Sequence, residues 1–121
     1  MTGTAWSIRL ARPDDAEAMT RVEEDAAELF EREPTLARVT MPPSRSPEEY
    51  RAMIGIGRCL VAVEGDELVG FAACRPYGHE MHLHELSVVP AHQGQGSGRR
   101  LLYAAAVDAH ASGVRAITLD T

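Results

Sequence analysis

Three glycines at alternate positions, in His92-Gln93-Gly94-Gln95-Gly96-Ser97-Gly98-Arg99-Arg100, stand between a strand-like and a helix-like run. Backbone amides freed by such a turn converge where the helix dipole is positive, an arrangement that binds phosphate. Glycine lets the chain approach an anion closely, and Arg99 and Arg100 add charge at the rim. The plainer alternative is a turn whose glycines serve conformation alone. The spacing is GxGxG rather than the GxGxxG of a dinucleotide fold, and it follows a strand near residue 85 instead of opening the domain, which counts against NAD. Asp120, at the end of the next strand-like run, stands about where a ribose-binding acid would lie and keeps that reading open.

Just before the turn comes His82-Leu83-His84-Glu85. Strand alternation places His82, His84, Leu86 and Val88 on one face and Leu83, Glu85 and Ser87 on the other. The two histidines can then act together, and with a reference pKa near 6.5 they are suited to accept a proton. Paired strand histidines also occur as plain structural residues. Glu85 is the acidic candidate for the same role, and a β-bulge would be needed for it to share a site with both histidines. His79, His92 and His110 fall in loops or on a helix surface, and no His and acid set has convincing zinc-ligand spacing, so no metal is expected. Cys59 and Cys74 are too far apart for a CxxC pair and read as buried thiols.

The elements that must position these residues follow from periodicity. Ser7 to Ala11 alternates polar and apolar as a first strand ending at Arg12-Pro13. Ala18, Met19, Val22, Ala26, Leu29 and Phe30 recur at helical steps over residues 14 to 32, with Asp14 and Glu17 resembling a capping box. Pro34 to Ser46 reads as a long loop. Ser46-Pro47-Glu48-Glu49 is a strong helix start, and that helix should end near Ile54 before Gly55 and Gly57. Cys59 to Glu64 and Leu68 to Arg75 form a hairpin across Gly65-Asp66-Glu67. Met81 to Val89 is a fourth strand, Arg99 to Ala111 a helix closed by Gly113, and Ala116 to Asp120 a fifth strand. The order β-α-α-β-β-β-α-β predicts one α/β domain over residues 1 to 121, with a mixed sheet.

Composition narrows the function. With 45% hydrophobic and 25% charged residues in 121, the chain has the proportions of an ordinary globular domain. No uncharged apolar run is long enough for a membrane span, and the first residues lack the pattern of a signal peptide, so the cytoplasm is the expected location. All twelve cations are arginine, which removes the lysine of a P-loop and lysine-nucleophile chemistry. A net charge of −6 and 5% aromatics argue against nucleic acid as partner. Residues 13 to 33 hold nine carboxylates, among them Glu17, Glu23 and Glu28, against Arg21 and Arg32. As a helix this run is either a solvated acidic face or a field that draws a cationic substrate.

The pattern Gln93-x-x-Gly96-x-Gly98, preceded by ELSVVP at 85–90 and followed by Arg99-Arg100-Leu101-Leu102, closely resembles the acetyl-CoA-binding motif of the GNAT superfamily of N-acetyltransferases. The resemblance implies a mainly antiparallel central sheet flanked by helices, with the CoA pyrophosphate on the amides of Gln93 to Arg99. It also implies a pantetheine arm along Leu86, Ser87 and Val88, and a backbone amide near Val88 facing the oxyanion. His82-Leu83-His84 before a hydrophobic strand is similar to arylalkylamine acetyltransferases, in which two strand histidines assist proton removal. Many other members place an acid on this strand, and Glu85 is the local counterpart.

The family fold usually continues into a further helix and two strands, so the resemblance assigns these residues to its N-terminal and cofactor-binding portion, ending after the fifth strand. It implies acetyl transfer to a primary amine, a small cationic one given the acidic run, by direct attack in a ternary complex. The competing reading is a non-catalytic acyl-CoA-binding or protein-interaction module. Ile117 and Leu119 on the last strand would call for cover from a second copy or another chain.

Overall fold

The structure, a computed structural model, describes residues 6–32, 44–92, 96–114 and 116–119. Strand β1 (Trp6–Leu10) leads through a 3-10 turn at Pro13–Asp15 into helix α1 (Ala16–Arg32), and helix α2 is Pro47–Ile56. Strands β2 (Arg58–Glu64), β3 (Glu67–Tyr77) and β4 (Glu80–Val88) follow, then a 3-10 turn at Pro90–His92, helix α3 (Ser97–Ala111) and strand β5 (Ala116–Leu119). The sheet runs β1-β2-β3-β4-β5, antiparallel throughout except for the parallel β4–β5 pair. This is the expected mixed α/β sheet flanked by helices. Of the expected Pro34 to Ser46 loop, residues 34–43 lie outside the described residues.

The cap signals act in two different ways. Ser46 accepts from Glu49 N at 3.2 Å while Glu49 Oε1 accepts from Ser46 N at 3.0 Å, so the expected box forms and α2 starts at Pro47. At the head of α1 the expected Asp14–Glu17 box does not form. Asp15 instead accepts from Arg12 N at 2.7 Å and takes both arms of the Arg9 guanidinium at 2.8 and 3.0 Å. That fork gives Asp15 stronger partners than a backbone amide alone, so the chain starts with a 3-10 turn.

The sheet is covered on both faces. Ala16, Met19, Val22 and Tyr50 from α1 and α2 pack on Cys59, Val61, Leu68, Phe71 and Ala73. Leu101, Ala105 and Ala109 of α3 pack on Leu60, Ala62, Val69, Ala72, Cys74, Met81, Leu83 and Val88. Because β2 and β3 are buried on both sides, they read as continuous apolar runs without polar alternation. Tyr50 meets Phe71 edge to face at 5.1 Å. Gly57 ends α2 where a Cβ would stand 2.1 Å from the Cys74 carbonyl oxygen, so only glycine lets α2 turn this tightly onto β3. Pro76 pairs with Met81 of β4 but lies beyond Cys74, the last residue paired with β2, so β3 is an edge on that side, where proline is tolerated.

Candidate functional site

The register of β3 against β4 breaks once. Glu85 pairs with Ala73 and Leu83 with Cys74, which leaves His84 as an extra residue with nothing opposite it. A bulge of this kind reverses the alternation beyond it. Met81 and Leu83 before the bulge and Val88 after it therefore all face α3. The expected division, with Leu86 and Val88 beside the histidines and Glu85 opposite, is corrected: His82, His84, Glu85 and Ser87 share the face covered by α1 and α2. The bulge that Glu85 would need is present.

On that face the His82 and His84 rings meet edge to face at 4.8 Å, and Tyr77 stands 5.7 Å from His82 and 6.1 Å from His84. His82 Nδ1 lies 2.8 Å from Thr118 Oγ1 on β5. β5 accompanies β4 only from Glu80 to Leu83, so among the described residues the sheet pairs of Glu85 to Val88 are all with β3. His84 also lines a cleft of about 290 Å³ with Arg45, Glu49, Ala52, Met53, Ile56 and Arg75.

Glu85 is held from two sides. Its Oε1 pairs with Arg45 at 3.1 Å and its Oε2 accepts from Ser87 Oγ at 2.7 Å. Arg45 is in turn placed by α1, since its N–H donates to Glu23 at 3.0 Å and its carbonyl accepts from Thr20 Oγ1 at 2.9 Å. Tyr50 O–H donates to the same Glu23 oxygen at 2.5 Å. Burial, and then this bond to a carboxylate, push the Tyr50 phenol well above its ordinary pKa, so it stays a neutral donor.

At the other end of β4, α3 begins with Gly96 at φ +80 and with Ser97 buried. Among the described residues, Ser97 Oγ has no hydrogen-bond partner and a Cβ on Gly98 would meet nothing within 4 Å. Arg99 and Arg100 are exposed beside them. A buried hydroxyl left open at the positive end of a fifteen-residue helix suits an anionic oxygen, so these residues fit a phosphate group. Gln93, Gly94 and Gln95 lie outside the described residues.

Residues 17–121 match the model of the acetyltransferase (GNAT) family. The chain belongs to that family. Solved structures agree on the fold. A GNAT family acetyltransferase from Brucella melitensis in complex with acetyl-CoA superposes with a TM-score of 0.77 at 25% identity, over 97% of this chain and 76% of that one. PaiA N-acetyltransferase from Thermoplasma acidophilum, in complex with coenzyme A, gives 0.76 at 18% identity over 91% and 75%. The ribosomal-protein-S18-alanine N-acetyltransferase from Escherichia coli gives 0.75 at 20% identity over 95% and 66%.

The GNAT fold of this chain thus brings His82, His84 and Glu85 to one face and leaves Gly96, Ser97, Gly98 and Arg99 at the head of α3. Sequence reasoning missed Arg45, Glu23, Tyr50 and Thr20. The readable signal was Tyr50 at the fourth position of a strongly capped helix, a polar aromatic turned inward that needs a partner for its hydroxyl. His92 was expected in a loop or on a helix surface, and its side chain is instead only 12% exposed, with Nε2 3.4 Å from Glu64. Cys59 and Cys74 are buried thiols as expected, and burial pushes them up to about 11 and about 12. Among the described residues, no helix is long and apolar enough to cross a membrane.

Proposed function

We propose that this GNAT chain is an N-acetyltransferase that moves the acetyl group of acetyl-CoA to a primary amine by direct attack, with residues 1–121 acting as one domain. The observation that carries the reading is the bulge at His84, which gathers two histidines and a carboxylate on one face, with His84 lining a cleft beside α2. The coenzyme A and acetyl-CoA in the PaiA and Brucella relatives support the cosubstrate. Its pyrophosphate would rest on the Gln93 to Arg99 turn, with Ser97 Oγ as an added donor. Its pantetheine arm would follow Leu86, Ser87 and Val88 toward His84, about 13 Å along β4 from Val88.

An alkylamine arrives as an ammonium ion and must lose a proton before it attacks. His84 lines the cleft and is the first acceptor of that proton, with His82 against its ring and Glu85 adjacent. The amine nitrogen bonds to the thioester carbonyl carbon, the carbon–sulfur bond breaks and the CoA thiolate leaves. A backbone amide of β4 closer to His84 than the expected Val88 would have to face the oxyanion, since the attacked carbonyl and the proton acceptor must lie together. The high pKa values of Cys59 and Cys74 support direct attack over an acyl-cysteine route. The acceptor is a small amine, cationic at its reacting end, and Glu23 is the member of the acidic run that reaches the site.

The test is a thermal shift with acetyl-CoA and CoA against NAD and ATP, followed by CoA release with a panel of primary amines. The reading expects a shift with the first two ligands only, amine-dependent CoA release, and a loss of about 100-fold or more in kcat/KM for His84→Ala. Binding without CoA release from any amine would instead support an acyl-CoA-binding module. No shift with any ligand overturns the cosubstrate assignment.

A further inference from the structure

The cleft between α2 and the sheet has a wall and a charged end that proton removal does not use. Ala52, Met53 and Ile56 make the wall apolar, and Ile56 is 57% exposed. The carboxylates around it are engaged. Glu49 caps α2, Glu23 takes Tyr50 and the Arg45 N–H, and Glu85 takes Arg45 and Ser87. Arg75 differs from all of these. Its side chain is exposed on the rim, and its one interaction among the described residues is with the Tyr77 ring, 5.9 Å from the guanidinium. Glu80, diagonal to it across β4, makes no ion pair with it.

Register places this cation relative to the chemistry. Arg75 pairs with His82, while Ala73, two residues earlier on the same face, pairs with Glu85. Arg75 therefore starts opposite His82 and one same-face step, about 7 Å, along the sheet from the position opposite Glu85. An arginine resting on an aromatic ring keeps its planar fork free for a carboxylate, which it can grip with two parallel hydrogen bonds.

We infer that the acceptor is an amino-carboxylate: a primary amine on a short apolar stem whose far end carries an anion that Arg75 binds. The inference rests on the acetyl-transfer reading above and names the acceptor class for that cleft. The ammonium end meets His84 and Glu85, the stem lies on Ala52, Met53 and Ile56, and the carboxylate completes the charge of Arg75. The acceptor is thus cationic where it reacts and anionic where it is anchored.

The test uses three amines with one stem and three different far ends: 5-aminopentanoate, pentylamine and 1,5-diaminopentane. The purified chain should favour 5-aminopentanoate over pentylamine by about fivefold in kcat/KM, the upper end for an ion pair at an exposed arginine. The diamine should be the poorest of the three. Arg75→Gln should bring the ratio of the first two close to one through KM, and Arg75→Glu should favour the diamine. Calorimetric binding of the same amines, without acetyl-CoA, supplies a readout independent of turnover. Carboxylate-dependent binding that vanishes in Arg75→Gln, with no CoA release, would keep the acceptor site and overturn acetyl transfer. Equal binding of 5-aminopentanoate and pentylamine, or a preference that survives Arg75→Gln, would overturn the amino-carboxylate site.

Discussion

Removing one oxygen from Tyr50 should cost this chain much of its margin of stability. Tyr50 is fully buried, and its hydroxyl gives a short bond to Glu23, whose side chain is 15% exposed and carries the Arg45 N–H on the same oxygen. In Tyr50→Phe the ring keeps its edge contact with Phe71 and no large cavity opens, so the change isolates the hydrogen bond. A bond to a charged partner contributes about 1.5 to 3 kcal/mol, and the residual access of water to Glu23 favours the lower figure. With 121 residues, at about 2.1 cal/mol/K each, the unfolding entropy is roughly 0.25 kcal/mol/K, so 1.5 kcal/mol lowers Tm by about 6 °C. Urea unfolding and circular dichroism melts of the wild type, Tyr50→Phe, Glu23→Gln and the double variant form a cycle. Its coupling should be about 1 kcal/mol or more. If Tyr50→Phe unfolds within about 0.5 kcal/mol of the wild type, a spread typical of inert substitutions, or if the coupling is nil, the claim that this buried bond stabilises the fold is wrong.

Other expectations follow from contacts away from the site. The hydrogen bonds and charge of Arg9 hold the Asp15 carboxyl below the usual range despite partial burial. A lowered folded pKa stabilises above the unfolded value of about 3.9 and is lost as pH falls through the folded value, so Asp15→Asn should cost about 1 kcal/mol at pH 7 and less near pH 2. Urea midpoints at the two pH values measure this, and a cost independent of pH would point to another cause. Gly57→Ala should destabilise by about 2 kcal/mol or more, because its Cβ would stand 2.1 Å from a backbone oxygen of β3; an unchanged melting temperature would contradict that geometry. Cys59 and Cys74 should resist a thiol reagent at pH 8 in the native protein and both react in urea, and rapid native labelling of either would refute their burial.

Elements whose local signals agree with their packing were legible in the sequence. The Ser46-Pro47-Glu48-Glu49 start of α2 is an example, since side chain and backbone satisfy each other with no outside help. The strands of the β2–β3 hairpin are another, because apolar runs flank Gly65 and Asp66, although Glu67 pairs with Glu64 instead of joining the turn and the register shifts between Ala62 and Val63. Boundaries failed where tertiary contacts decide. α2 runs on to Ile56 because Gly57, not Gly55, meets Cys74. α1 begins with a 3-10 turn because Arg9, six residues away on β1, competes for Asp15.

The site was legible in its residue types and misread in their facing. His82, His84 and Glu85 stand out because imidazoles and a carboxylate are rare company on one buried strand, and the glycine turn marks the strand they belong to. Period-two alternation then sends Glu85 away from the histidines, and the signal of the extra residue at His84 is the odd spacing between the apolar positions Leu83 and Val88. The cause lies in what each half of β4 must bury. Met81 and Leu83 have to face α3, and so does Val88, yet an even register cannot put 83 and 88 on one side. One unpaired residue resolves the conflict, and His84 is the polar position between the two apolar sets that can stand out of the ladder. The same slip delivers Glu85 to Arg45. That arginine was beyond local reading, because its direction is set by Glu23 and Thr20 from α1, more than twenty residues earlier. The packing of the α3 face therefore determines which groups meet on the opposite one, and a substitution that changed the apolar set of β4 would act on the proton-accepting group through register before it acted on any contact.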